Sequence, residues 1–275
     1  MIPPRKIRQG VRVGLGVRLV ARLVPLAACV LAVAGCTQSP ASTRARARYT
    51  LMQMNLCLSG VAGCYPKTAY PAVLDEAVAR IRSQHPDAVT FNEACGGDVA
   101  QIARRTGYHL RFSKVIYARK PFPCIRPGGR GLFGDAVLTK AAIASSQAQP
   151  FEAQSGPERR QWICVTTGAK VEACTAHLAT HEPEEAPANA PQCAELKALL
   201  ARRASRGHAV IFGGDVNRLS PCAPAGFWTR SDGSAFQDPG SQQVYGTRAF
   251  RSPTAKVIPA LHTDHDILLV RALRR

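Results

Sequence analysis

The chain has 275 residues, with 36 Lys or Arg against 18 Asp or Glu and a formal net charge of +18. That length suits one large α/β domain better than two, and the ten cysteines contain no CxxC pair, which excludes the close-spaced zinc sites. The positive surplus favours polyanions such as nucleic acid or anionic lipid, while the scarcity of Lys, eight of the basic residues, also fits a genomic bias toward Arg.

Residues 1–36 do not read as domain. Arg5, Lys6, Arg8, Arg12, Arg18 and Arg22 precede the apolar run "LVPLAACVLAVAG", Leu23 to Gly35. The run is too short to span a bilayer, and a basic flank followed by small residues is the pattern of a signal peptide. It ends in "VAGC", Val33 to Cys36, which resembles the lipobox of bacterial lipoproteins, where the cysteine is lipidated after cleavage. The expectation is therefore an exported chain, lipid-anchored through Cys36 at the outer face of the cell membrane. Ordinary secretion after cleavage nearby is the alternative. Residues 37–48 are small, polar and basic, as a flexible tether would be, and residues 49–275 remain for the domain. Without the six basic residues of the leader the mature charge is +12. Eight cysteines stay in the mature chain, and an even number in an exported protein implies disulfides. Proximity along the chain suggests Cys57 with Cys64, Cys95 with Cys124, and Cys193 with Cys222. Cys164 and Cys174 flank a hairpin around Gly168.

The domain opens with a strand, Tyr49 to Leu56, ending at Asn55. Val73, Leu74, Ala77, Val78 and Ile81 then have the spacing of an amphipathic helix over Tyr70–Gln84. "DAVTFNEAC" is a second strand ending at Glu93. A short helix over Asp98–Thr106 leads to a strand pair, "YHLRFSKVIY" and "FGDAVLTK". "QWICVTT" and "VEACTAHLAT" form the hairpin, whose second arm ends at His177. A helix over Gln192–Arg206 precedes the strand of "VIFGGDVN", where Asp215 and Asn217, two apart, share a face. Last, "HTDHDILLVRAL" is a strand entered through Asp264 and His265. Singly, each polar residue has a plain structural reading: Asn55 and Asn217 as turn formers, Glu93 as a helix-start acid, Asp264 as a cap, His177 as a half-buried histidine. Together they occupy strand ends, where a rigid sheet fixes chemistry.

Taken in order, "MNL", "FNE", "CTAHL", "GGDVN" and "TDHDILLV" resemble the endonuclease/exonuclease/phosphatase superfamily over essentially the whole mature chain. The resemblance implies a four-layer α-β-β-α sandwich, two mixed sheets face to face with helices outside. It further implies a hydrolase of phosphodiester bonds, with a nuclease first among the readings and a phospholipid or sphingomyelin phosphodiesterase second. Glu93 would be the principal ligand of Mg²⁺ or Mn²⁺, with Asn55 beside it and Asp264 completing the metal side. Asp215 would orient and deprotonate the attacking water, Asn217 would hold that water or a phosphoryl oxygen, His265 would stabilise phosphoryl oxygens, and His177 would contact the phosphate or assist the leaving group. A histidine beside a carboxylate there could be a cationic partner. A phosphate-ester substrate, a membrane contact through the lipid, no protein partner and a monomeric state complete the expectation.

One departure stands out. The family's aspartate that orients the histidine has no acidic counterpart in "GSQQVYGTRAF", which leaves Gln242, Gln243 or Asp238 to replace it. The gap opens a different reading, a surface lipoprotein that binds a polyanion without cleaving it. "HLATH" lacks the Glu of a zinc protease, and His262 with His265 is a minor zinc reading. Arg130, Arg159 and Arg160 are read as surface arginines that are also candidates for phosphate contact.

Overall fold

The computed structural model describes residues 47–274, Ala169 excepted. The leader, Cys36 and all but the end of the tether lie outside the described residues. In chain order the elements are β1 (Arg48–Asn55), α1 (Ala72–Gln84), β2 (Ala88–Cys95), α2 (Gly96–Thr106), β3 (His109–Lys114), β4 (Ile116–Tyr117), β5 (Lys120–Pro121), β6 (Phe133–Thr139) and β7 (Ile143–Pro150). They continue with β8 (Glu158–Arg159), β9 (Gln161–Thr167), β10 (Val171–Ala176), α3 (Ala186–Ser205), β11 (Ala209–Asp215), β12 (Trp228–Ser231), β13 (Gln242–Gly246), β14 (Phe250–Ile258) and β15 (Ile267–Arg274).

Two six-stranded mixed sheets carry the domain, in the orders β14-β15-β1-β2-β6-β3 and β12-β13-β11-β10-β9-β7. Alternation along each strand decides which layer a residue joins. On β1, Met52 and Met54 pack outward with Val73, Leu74 and Ile81 of α1 and Val99 and Ile102 of α2. Leu51, one residue out of phase, packs inward with Ile211, Val165 and Val244 of the second sheet. Phe212 and Cys174 on the far side of that sheet meet Leu196, Leu199 and Leu200 of α3. The result is four layers, helix, sheet, sheet, helix, the architecture implied by the motif set. β1 and β2 run parallel, and α1 is the crossover such a pair requires.

The inner faces change character along their length. β1 presents Tyr49 and Leu51, then Gln53 and Asn55. β11 presents Ile211, then Gly213 and Asp215. The apolar members belong to one inter-sheet core, and the polar members bond across it. Gln53 Nε2 donates to Gln242 Oε1 at 3.4 Å, and the Asp215 amide donates to Asn92 Oδ1 at 2.8 Å. Gly213 and Gly214 permit this approach. A Cβ on Gly213 would lie 2.6 Å from both Leu51 Cδ2 and Thr90 Oγ1, and one on Gly214 would lie 2.4 Å from the Ala176 carbonyl oxygen.

All four cysteine pairs expected from the sequence are disulfides. Cys164 and Cys174 face each other in register on β9 and β10. The Cys193–Cys222 bridge ties α3 to the loop after β11 across 29 residues. Replacing both of its cysteines by serine is expected to cost about 3–4 kcal/mol by the loop-entropy argument. Urea denaturation of the variant checks this, and a loss under about 1 kcal/mol would show that α3 is held by packing alone.

Several elements depart from the sequence reading. α3 begins at Ala186, six residues ahead of the expected Gln192. Pro187 and Pro191 obscure it, yet proline is tolerated in a first turn, where its missing N–H has no intrahelical partner; Pro191 lies inside the helix. Strands β7, β12, β13 and β14 carry polar or glycine-containing sequences, which pattern alone does not distinguish from loops. Among the described residues no helix is long and apolar enough to cross a membrane.

Candidate active site

The polar ends of the inner strands converge. Asn55 Nδ2 donates to Glu93 Oε1 at 2.9 Å and to Asp215 Oδ2 at 3.0 Å. His265 Nε2 lies 3.8 Å from Asp215 Oδ2 and 3.9 Å from Asp264 Oδ1. His177 Nε2 lies 4.0 Å from Glu93 Oε1, and His177 bridges to Asp215 beyond the end of β10. Asn217 donates its backbone N–H to Asp215 Oδ1 at 3.1 Å. All seven residues singled out in the sequence therefore belong to one cluster or its immediate rim.

Glu93 arrives by an irregularity. Strand alternation would send Asn92 inward and Glu93 outward, into the helical layer. The register with β6 slips between Phe91 and Ala94, and Glu93 takes a φ of 52°. This bulge turns the carboxylate back to the strand end. Asn217, with φ 48°, makes the corresponding turn after β11. Its side-chain Nδ2 donates to the Leu178 carbonyl at 2.9 Å, which anchors that loop to the β10 side.

Beneath the cluster lies a buried polar layer. Asn92 Nδ2 donates to Asp135 Oδ1 at 2.8 Å and to Thr175 Oγ1 at 3.3 Å, while its Oδ1 also accepts from Gln53 Nε2 at 2.7 Å. A half-satisfied layer at this depth would be costly. Each link here joins adjacent strands or opposite sheets, so the layer fixes the site's floor. Gln53 and Thr175 stand two residues before Asn55 and His177. The sequence reading passes over both, and that i−2 spacing on the same face is the signal that could have found them.

Several expectations need correcting. Asn55 braces the two carboxylates with its amide N–H groups, and its Oδ1 accepts from the Cys57 N–H at 3.1 Å. It thus positions Glu93 and Asp215. Arg130 and Arg160 are not surface residues, being 5% and 4% exposed. Arg130 donates to Asp98 Oδ2 and the Leu58 carbonyl, both at 2.7 Å, and so holds the loop after β1. Arg160 reaches Glu158 at 2.9 Å, Glu185 at 2.7 Å and His177 Nδ1 at 2.9 Å.

The last contact fixes the protonation of His177. A guanidinium only donates, so Nδ1 is the acceptor and Nε2 carries the proton. Burial, the Arg160 cation and His265 together hold the imidazole well below the usual histidine pKa. His177 is therefore a neutral Nε2–H donor. His265 differs. Burial would lower its pKa, but Asp215, Asp264, Glu93 and Asp238 outweigh burial and raise it.

Of the three candidates left open, Asp238 has an ion-pair contact with His265 but no hydrogen bond to it, His265 Nδ1 being buried without a hydrogen-bond partner. Asp238 Oδ2 lies 3.8 Å from His265 Nδ1. Gln242 instead donates to Asp232 Oδ2 at 3.1 Å, and Gln243 donates to the Gly240 carbonyl at 3.1 Å. Asp232, fully buried and missed in the sequence, accepts from the Gly240 and Gln242 amides at 2.8 and 3.2 Å and shapes the turn that carries Asp238. In Asp238→Asn, without divalent cation, the His265 imidazole is expected to titrate at lower pH, because a neighbouring carboxylate favours the charged ring. Proton NMR of the ring checks this. An unchanged midpoint would mean that Asp238 does not act on His265.

The donor set fits a hard divalent cation. Asp264 Oδ1 is buried with no hydrogen-bond partner, and Glu93 Oε2 lies 3.6 Å from Cys64 Sγ, a disulfide sulfur. Burial pushes the Glu93 carboxyl up to about 7, against the lowering effect of the Asn55 hydrogen bond. Unsatisfied oxygens in a desolvated carboxylate cluster suit Mg²⁺ or Mn²⁺, which prefer oxygen ligands and keep several waters. His262 joins none of the clusters of three ligating side chains found among the described residues, so the zinc reading has no support.

Two packed sheets with carboxylates, amides and imidazoles at one shared edge are the frame of a phosphodiester hydrolase. Residues 61–265 match the model of the Endonuclease/Exonuclease/phosphatase family, and the chain belongs to that family, whose enzymes are generally dependent on a divalent metal. The fold is similar to that of TDP2 from Caenorhabditis elegans, with TM-score 0.60 and 15% identity over 82% of this chain and 75% of that one. It is also similar to the human Nocturnin catalytic domain with bound sulfate anion, with TM-score 0.63 and 14% identity over 83% and 94%. D. rerio TDP2 complexed with single strand DNA product gives TM-score 0.55 and 14% identity over 82% and 98%. A comparison with curated proteins finds no match.

Proposed function

We propose that this chain is a Mg²⁺-dependent phosphodiesterase of nucleic acid, exported and held at the outer membrane surface by a lipid on Cys36. The observation that carries the reading is the meeting of Glu93, Asn55, Asp215 and His265 across both sheets, linked in that order by contacts of 2.9, 3.0 and 3.8 Å. Glu93 and Asp264 would hold the cation, which supplies charge stabilisation to the phosphoryl oxygens. Asp215, fixed by Asn55 and the Asn217 amide, takes the proton of the attacking water. Asn217 lines the approach of that water. His265, whose charged form its neighbouring carboxylates favour, and the Nε2–H of His177 bind the phosphoryl oxygens as charge grows on them.

Nucleic acid leads because the mature chain carries +12, and phosphate contacts supply most nucleic-acid affinity. A single strand DNA product on the same fold in D. rerio TDP2 supports the order. A specific observation favours a second reading, a phospholipid phosphodiesterase. Leu219, Phe236 and Leu261 are 80%, 96% and 71% exposed on the loops that carry Asn217, Asp238 and His265. Asp238, 3.8 Å from His265, weighs against the non-catalytic binder.

The test is to incubate mature protein with plasmid DNA, RNA, sphingomyelin vesicles and bis(p-nitrophenyl) phosphate, each with Mg²⁺ and with chelator. Cleavage of DNA or RNA that chelator abolishes is the expected result. Turnover of sphingomyelin alone would replace the nuclease reading with the second, and polyanion binding without turnover would remove both.

A further inference from the structure

A cleft of about 370 Å³ opens directly from Glu93 and His177, and neither His265 nor Asp238 lines it. Its lining combines two chemistries, and Tyr117 of the aromatic set pairs across strands with Glu158 of the acidic one. One is apolar and aromatic: Tyr117 and Phe122, with ring centroids 5.2 Å apart, and Phe133, which meets Phe122 edge-on at 6.0 Å. The other is acidic: Glu158, Glu182 and Glu185 around Arg160. In a chain of strongly positive net charge, the cleft thus holds three carboxylates against one guanidinium, before Glu93 is counted.

That guanidinium is already committed. Its terminal nitrogens serve Glu158, Glu185 and His177, so it has no free face for a phosphate. Its Nε–H is buried out of reach of the cleft. An arginine 4% exposed and surrounded by its own carboxylate partners presents no bare cation, so the cleft favours an uncharged group over an anion. A phosphate there would face the carboxylates with no free countercharge.

We propose that this cleft is a base subsite: it stacks the uncharged heterocycle of one nucleotide flanking the scissile phosphate on Tyr117 and Phe122, and it shuts out the next phosphate along the strand. The proposal rests on the nucleic-acid reading above. Stacking on an aromatic wall is tolerant of base identity. The N–H groups of a base answer the carboxylates of the cleft. The strand therefore ends or turns sharply at this cleft, and phosphates run out past the His265 side.

The experiment uses dinucleoside monophosphates, which contain a single cleavable bond. kcat/KM is measured with Mg²⁺ for d(ApA), for its two analogues lacking one base, and for the two forms bearing one added terminal phosphate. Loss of the base on one side is expected to lower kcat/KM about tenfold, and loss on the other side to matter much less. The terminal phosphate on the sensitive side alone should also depress the rate. Tyr117→Ala should shrink the ratio between d(ApA) and the sensitive abasic analogue, and Glu182→Gln should shrink the penalty of the terminal phosphate. Each is a ratio within one variant, so impaired folding does not mimic it. Equal tolerance of base loss or of phosphate at both ends overturns the subsite while leaving the nuclease reading in place. Hydrolysis of bis(p-nitrophenyl) phosphate with no dinucleotide cleaved overturns the nuclease reading, and the subsite falls with it.

Discussion

Asp215→Asn is expected to lower kcat by about 10²–10⁴-fold, the range for loss of a positioned general base, with KM little changed. The carboxylate is 1% exposed and accepts hydrogen bonds from Asn55 Nδ2 and the Asn217 amide. An amide of the same shape keeps one acceptor oxygen and loses the basicity. One of the two hydrogen bonds is lost with it, at about 1 kcal/mol, so the variant still folds. Steady-state kinetics beside circular dichroism check both halves. Activity within about tenfold of the parent would show that another group accepts the proton.

Glu93→Gln is expected to weaken Mg²⁺ binding by at least about 100-fold, beyond the usual effect of groups that only support a ligand. In the parent, pH should tune the affinity. The Glu93 carboxyl is pushed up to about 7 by burial, and a cation competes with that proton. As pH falls below about 7, affinity should drop by up to about tenfold per unit for a single competing proton. Calorimetry at pH 5.5 and 7.5, in buffers of different ionisation heat, measures the affinity and the proton released. Identical affinity at both pH values, or normal binding by the Glu93→Gln variant, would place the cation elsewhere.

How much of this was legible in the sequence differs from residue to residue. Asp215 and Asn217 were, because two positions on a strand end share a face whatever the rest of the fold does. The disulfides were, because short separations in chain contour leave few partners. Glu93 was recognisable only through its motif. Alternation alone points it into the helical layer, and the slipped register that redirects it leaves no trace in composition. Asp238 was one of three options, since its approach to His265 depends on a turn shaped by Asp232 and on strand β13 lying beside β11. Arg160 was misjudged because a buried guanidinium is explained only by its partners. Those partners, Glu158, Glu185 and His177, come together across three separate segments.

The left-handed backbone at Glu93 has an evolutionary cost. A residue bearing a Cβ in that region loses roughly 1–2 kcal/mol relative to glycine. Glycine there would relax the bulge, remove a desolvated carboxylate and harden the fold. Lineages screened for heat resistance alone should drift toward that replacement and fall silent as enzymes, so endurance and turnover pull this position in opposite directions.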